Sequence, residues 1–326
     1  MRNEIKKIGL LLAVFSVVFI AGCVGGPFES LFGQPGEVRE AAPDIIVVQN
    51  ENVIPQPPIT AGEEFTVSFE VKNVDDINSV SGVNLQLYDW GLCGKESLTD
   101  PWTASGAYYT QSLGRMGPGQ SKPIDITLKA PSAAQLGNLP GRCPVRYKVN
   151  YDFNASTSTS AEVISDTRLR QLQTAGQTPS YTPITDIGIG PIKIYMSPVS
   201  SMPAKTESTV YVSIQVQNKG TGTYLNIAQN KLILKVPSEW TMLDDKCGKE
   251  FDTYTGKTET GYNFYSNSQS HGIDLIGAEK KTFEIRCGFK MPDKTKVPET
   301  KTYYLFATLD YNYDLIREMD VDIKSQ

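Results

Sequence analysis

The chain has 326 residues, 31 Lys and Arg against 36 Asp and Glu, and a formal net charge of -5. It therefore lacks the clustered basic excess that phosphate contacts require, and nucleic acid is excluded as a partner. A single histidine, His271, leaves no material for a multi-histidine metal site or for a mechanism with two imidazoles, and the composition points away from enzymes and from any cofactor. At roughly 150 residues per domain the length suits two domains, each long enough to bury its own core.

Arg2, Lys6 and Lys7 precede an uncharged apolar run from Ile8 to Ile20, which ends in Ala21, Gly22 and Cys23. These are the three parts of a secretory signal. As a helix the run would be about 20 Å long, short of the roughly 30 Å hydrocarbon core, so it suits a signal better than a spanning helix. Ile20-Ala21-Gly22-Cys23 resembles the lipobox of prokaryotic lipoproteins. The resemblance implies that residues 1–22 are removed as a signal peptide and that Cys23 carries a lipid anchor in the membrane. Two other readings are an uncleaved anchor, since no charge falls between Ile8 and Phe28, and a pilin-type signal, since Lys6-Lys7-Ile8-Gly9 precedes the apolar segment. Gly22, Gly25, Gly26 and Pro27 weaken the first, and the lack of a Glu near the start of the run weakens the second. Every one of these readings places the rest of the chain outside the cytoplasmic membrane. Residues 23–43, rich in Gly, Pro and charge, are expected to be a flexible lipidated tether.

Beyond the tether the apolar period becomes two. Phe65, Val67, Phe69 and Val71 alternate with polar residues up to Asn73, as a strand with one buried face requires. The pattern returns with Val210, Val212, Ile214 and Val216, ending in Asn218. Further matches follow in the same order. Val83, Leu85 and Leu87 lead through Trp90 to Cys93, and Leu232, Leu234 and Val236 lead through Trp240 to Cys247. Ile124, Ile126, Leu128 and Pro131 match Phe283, Ile285, Phe289 and Pro292, and the run from Val145 to Phe153 matches Leu305 to Tyr313. The expected fold is all-β: two tandem Ig-like antiparallel β-sandwiches, over 44–166 and 188–326, joined by a Gln-, Gly- and Pro-containing linker over 167–187.

A strand ending in Val-Lys-Asn or Val-Gln-Asn-Lys-Gly, followed by a Gly-containing turn and a strand closing with Pro, resembles the CARDB-type and related Ig-like modules of archaeal and bacterial cell-surface proteins. The resemblance implies a prokaryotic, by expectation archaeal, cell-surface lipoprotein with an adhesive or spacer role. Its expected partners are the membrane, through the lipid, and an envelope protein or polysaccharide. The alternatives are a subunit of a surface filament or secretion assembly, and an envelope hydrolase using the His271 loop.

With Cys23 set aside, two cysteines fall in each repeat, in a compartment where disulfides persist. Cys93 with Cys143 and Cys247 with Cys287 is the natural pairing, because the other two would link separate domains. The chain-entropy model gives about 4 kcal/mol for each of the loops closed. The four lack the C-x-x-C spacing of a zinc site. Four other features bear on function. Trp102, Tyr108 and Tyr109, with Tyr88 and Trp90, form an aromatic-rich, Gly-containing stretch near Cys93 and are the candidate partner-binding residues. Asn154-Ala155-Ser156 is an N-glycosylation sequon expected on a surface loop. His271 lies in a polar loop without a G-x-S-x-G nucleophile elbow anywhere in the chain. Asp75, Asp76, Asp244, Asp245, Asp310, Asp314, Asp320 and Asp322 supply hard oxygens but match no calcium-loop pattern, so they read as solvated turn acids.

Overall fold

The computed structural model describes residues 44–325 except 96–97, 99–100, 225, 244–246, 248–249 and 273–282; the side chains of His271 and Gly272 are also outside the description. Cys23, the signal segment, the tether, Asp244 and Asp245 lie outside the described residues. In chain order the first strands are β1 (Ile46–Ile54), β2 (Ile59–Thr60), β3 (Glu64–Asn73), β4 (Val80–Asp89), β5 (Thr103–Ser105), β6 (Tyr108–Met116), β7 (Ser121–Lys129) and β8 (Gly141–Ile164). There follow α1 (Asp166–Thr174), β9 (Thr185–Ile187), β10 (Ile192–Pro198), β11 (Ala204–Lys205), β12 (Thr209–Asn218), β13 (Asn226–Ile227) and β14 (Leu232–Pro237). The last are β15 (Thr241–Met242), β16 (Phe251–Thr253), β17 (Tyr262–Asn267), β18 (His271–Gly272), β19 (Phe283–Lys290) and β20 (Thr300–Lys324). The protein is nearly all β, and α1 is the one helix among the described residues. No helix there is long and apolar enough to cross a membrane.

An 11-stranded sheet forms the frame, in the order β16-β17-β14-β20-β8-β4-β6-β5 with β2, β9 and β11 attached. A three-stranded sheet, β1-β3-β7, and a four-stranded sheet, β10-β12-β19-β15, supply the other layers. At the centre the 24-residue β8 and the 25-residue β20 pair antiparallel from Gly141–Ile323 to Ile164–Thr300 without a register shift. At about 3.3 Å per residue this ribbon is roughly 80 Å long. Its odd-numbered residues face inward almost throughout: Cys143, Val145, Tyr147, Val149 and Tyr151 on β8, and Leu305, Ala307, Leu309 and Tyr313 on β20, are buried.

Each small sheet lays its own alternating strand on part of that face. Phe69 of β3 stacks on Tyr147 at 4.4 Å between ring centres. In the second half Trp240 packs between Phe289 of β19 and Tyr303 of β20, at 5.9 and 5.6 Å. The buried apolar residues of both halves form one continuous cluster. The segment 167–187, expected as a linker, carries α1 and β9, and β9 pairs with β8. Residues 44–325 belong to one compact unit in which the halves meet along β8 and β20.

The two halves join at a waist of aromatic rings. Tyr151 faces Tyr313 and Phe153 faces Tyr311 across the ribbon, with ring centres 5.5 and 6.2 Å apart, and Tyr224 packs on Tyr311 at 5.5 Å. Asp44, where the described chain begins, is fastened here: its carboxylate accepts hydrogen bonds from the Thr221 N–H at 3.1 Å and the Thr221 hydroxyl at 2.7 Å. A Cβ on Gly220 would strike both this carboxylate and the Tyr313 hydroxyl, so the turn beside Asp44 admits only glycine at that point.

Candidate binding surface

The aromatic residues singled out near Cys93 do not form a free loop. Tyr108 and Tyr109 open β6, which lies between β4 and β5, and Trp102 immediately precedes β5. Tyr109, in register with Leu87, packs on the core and meets Trp90 edge to face at 5.8 Å. The Lys95 ammonium sits 5.0 Å above the Trp90 ring and 5.1 Å from that of Tyr109, a cation–π contact that closes the cluster. Trp102 is also packed on the core, and its indole N–H donates to the Asp125 carbonyl of β7 at 3.4 Å. Tyr108 falls on the opposite face of the strand from Tyr109 and is half-buried.

Asn154 lies in the middle of β8, on its exposed face, rather than on a loop; its side-chain amide donates to Asp310 at 2.7 Å. The acids of β20 are used in the same way. Asp314 accepts from Lys148 at 2.9 Å, Asp320 and Asp322 pair with Arg142 at 3.1 and 3.3 Å, and Glu318 pairs with Arg146 at 2.8 Å. Together they form a polar ladder along the solvent face of the ribbon, and Arg146 holds the Glu318 carboxyl below its ordinary range. Asp75 caps its own turn. Burial would raise its carboxyl, but hydrogen bonds from Asn78 and Ile77 outweigh this and hold it low. Among the described residues no group of three or more His, Cys, Asp or Glu is placed to hold a metal ion.

Cys93, in the turn after β4, is bonded to Cys143 near the start of β8, with Cα atoms 5.9 Å apart. Cys247 is bonded to Cys287 of β19, with Cα atoms 4.5 Å apart. The backbone of His271 pairs with Ile227 in the two-stranded sheet β13-β18.

A groove that sequence analysis did not single out lies on the solvent face of the second half. Lys235 of β14 sits in register between Phe264 of β17 and Phe306 of β20. Its ammonium is 2.6 Å from Glu259, 4.2 Å from the Tyr262 ring centre and 4.7 Å from that of Phe306. The hairpin 254–261 stands beside this floor, pinned by the Tyr254 N–H on the Phe264 carbonyl at 2.9 Å and the Tyr262 N–H on that of Glu259 at 3.2 Å. Two adjoining hollows of about 720 and 380 Å³ result, sharing Lys257, Thr258, Glu259 and Phe264. The floor comes from three strands distant in sequence, so no local motif announces it. The crowding of Tyr254, Tyr262, Phe264 and Tyr265 is its one sequence signal.

No family model and no curated protein matches the chain. Among solved structures it is similar to a protein of Corynebacterium diphtheriae assigned as membrane anchored, at 9% identity over 82% of this chain and 89% of that one, with a TM-score of 0.22. It is also similar to the type II cohesin dyad of the adaptor scaffoldin ScaA of Acetivibrio cellulolyticus, at 11% identity over 72% and 82%, with a TM-score of 0.21. A third similarity is to the C-terminal globular domain of an oligosaccharyltransferase of Pyrococcus abyssi, at 10% identity over 82% of this chain and 45% of that one, with a TM-score of 0.20. Likeness at this level assigns neither an activity nor a partner to the chain.

Proposed function

We propose that the protein is a non-enzymatic, lipid-anchored component of the cell surface that binds, or presents itself to, other envelope components. The observation that carries this reading is the uninterrupted β8–β20 ribbon. It makes a body of roughly 80 Å whose inward apolar side chains are consumed in one continuous core. The Ile20-Ala21-Gly22-Cys23 sequence and the tether over 23–43 supply the means of attachment. Asp44 is fastened to Thr221 at the waist of the ribbon, between its two ends. Presentation of two ends suits contact with neighbouring envelope material better than turnover of a substrate.

The test has two parts. Mass spectrometry of the mature protein is expected to show residues 1–22 absent and Cys23 lipid-modified, and Cys23→Ser is expected to release the protein from the membrane fraction. An intact Met1 or an unmodified Cys23 would overturn the anchoring. Retention on isolated envelope is then measured for the purified chain and for Tyr88→Ser with Tyr108→Ser, which leave the Trp90–Tyr109 packing in place. Retention is expected to fall in the double variant, and unchanged retention would remove Tyr88 and Tyr108 from the contact surface. Chemical consumption of an envelope polymer would overturn the non-enzymatic reading.

A further inference from the structure

The groove beside the hairpin 254–261 combines two features that call for a particular ligand chemistry. Its lining is aromatic: Phe264 is buried, Tyr262 and Phe306 are half-buried with the Lys235 ammonium over their rings, and Tyr254 and Tyr265 line the larger hollow. Its walls offer hydroxyls from Thr253, Thr255, Thr258, Thr260 and Thr308. A sugar ring has one apolar C–H face and a rim of hydroxyls, so it needs a flat apolar support and a dense set of neutral hydrogen-bond partners at the same place. The hollows, of about 720 and 380 Å³, adjoin through Lys257, Thr258, Glu259 and Phe264, which gives room for more than one ring. A folded protein partner would need about 800 Å² of surface on this side. The linings of the two hollows expose far less than that.

Charge narrows the class. Lys235 is neutralised by Glu259 at 2.6 Å. Lys257, which lines both hollows, has no acidic partner among the described residues. An unpaired cation inside a groove of a chain with net charge -5 attracts an anion locally while the rest of the surface repels it. We propose that this groove binds an acidic saccharide chain, with its hydroxyls met by the threonines of the hairpin and a carboxylate met by Lys257. The inference rests on the envelope-binding reading above and adds to it a second contact, apart from Tyr88 and Tyr108, with its ligand class.

The experiment is affinity electrophoresis of the full chain in detergent through gels containing polygalacturonate or, as the neutral control, dextran. The unaltered protein is expected to be retarded by polygalacturonate and not by dextran. Thr258→Trp, which fills the groove from an exposed hairpin position, and Lys257→Glu, which reverses its charge, are each expected to weaken binding at least tenfold with the melting temperature unchanged. Absence of retardation by polygalacturonate, or retardation unaltered in both variants, would overturn the groove as a saccharide site. Equal retardation by dextran would overturn the acidic class. If the unaltered chain is retained on isolated envelope yet ignores both polymers, the groove falls and the envelope reading stands. If it is not retained either, both fall.

Discussion

Asn73 and Asn218 show what a single buried amide does in this fold. Asn73 is fully buried at the end of β3, where its side-chain NH2 donates to the carbonyls of Asn78 and Gly117, both at 2.9 Å, and its carbonyl accepts from the Asp75 N–H at 3.0 Å. Asn218 ends β12 in the same way. It donates to the Gly222 carbonyl at 2.9 Å and accepts from the Gly220 N–H at 2.9 Å and the Tyr313 hydroxyl at 3.1 Å. Each asparagine thus satisfies backbone groups of the turn that leaves the sheet, and no apolar residue of similar size can do so. Removing the amide leaves buried carbonyls unsatisfied at about 1–3 kcal/mol per group. Asn73→Ala and Asn218→Ala are each expected to lower the unfolding free energy by roughly 2–4 kcal/mol in urea titrations. A change below about 0.5 kcal/mol, as an exposed asparagine would give, would show that the capping role is misassigned. The recurrence of Asn after an alternating strand was visible in the sequence as a repeat mark; the turn it closes, whose carbonyls lie up to 44 residues away, was not.

The ribbon is the element that decides the architecture, and it was only partly legible. Alternation marked Val145–Phe153 and Leu305–Tyr313 as strands because both carry large apolar residues every second position. The same strands continue as Ala155, Thr157, Thr159 and Ala161 and as Arg317 and Met319, where inward positions are small, polar or charged and the hydrophobic period fades. Strand pairing, not side-chain pattern, carries the ribbon through those stretches. Buried tyrosines on it supply a pH test. Burial, above all, raises the hydroxyl pKa of Tyr147, Tyr151, Tyr303, Tyr311 and Tyr313 above the ordinary value of 10.0. A group whose folded pKa is raised contributes stability that is fully present below its unfolded pKa and is lost as pH rises through the folded one. Stability is therefore expected to hold up to about pH 10 and to decline above it. Absorbance at 295 nm, followed together with circular dichroism, is expected to show exposed tyrosines ionising first and the ribbon set ionising only as the sheet signal disappears. Ionisation of all 16 tyrosines near pH 10 with the sheet signal intact would contradict the burial of these hydroxyls.

At the scale of the whole molecule, the question is whether two sandwiches with their own outer sheets unfold separately. Sequence reading divided the chain at 167–187, and a chain of two independent domains would lose each core in its own transition. The ribbon argues otherwise. Leu315, Val321 and Ile323 of β20 are buried in register with β8 residues of the first half, whereas Ala155, Ala161 and Val163 of β8 are buried against the second. Each core is thus completed by a strand segment from the other half, and Asp44 and Thr221 tie the same halves at the waist. A fragment ending at residue 187 would retain β1 to β8 but lack every residue of β20, leaving the 24-residue β8 with an open edge along its whole length and the apolar face of the first core short of one strand. Removing that many buried side chains far exceeds the marginal stability of a domain of this size, at about 2 kcal/mol or more for each large one. The expectation is that residues 44–187 expressed alone do not fold, as judged by amide dispersion in NMR. The full chain with both disulfides intact should unfold in one calorimetric transition whose van't Hoff and calorimetric enthalpies agree. A dispersed spectrum from the fragment, or two separated transitions in the intact protein, would show instead that the halves are independent domains that merely align their longest strands.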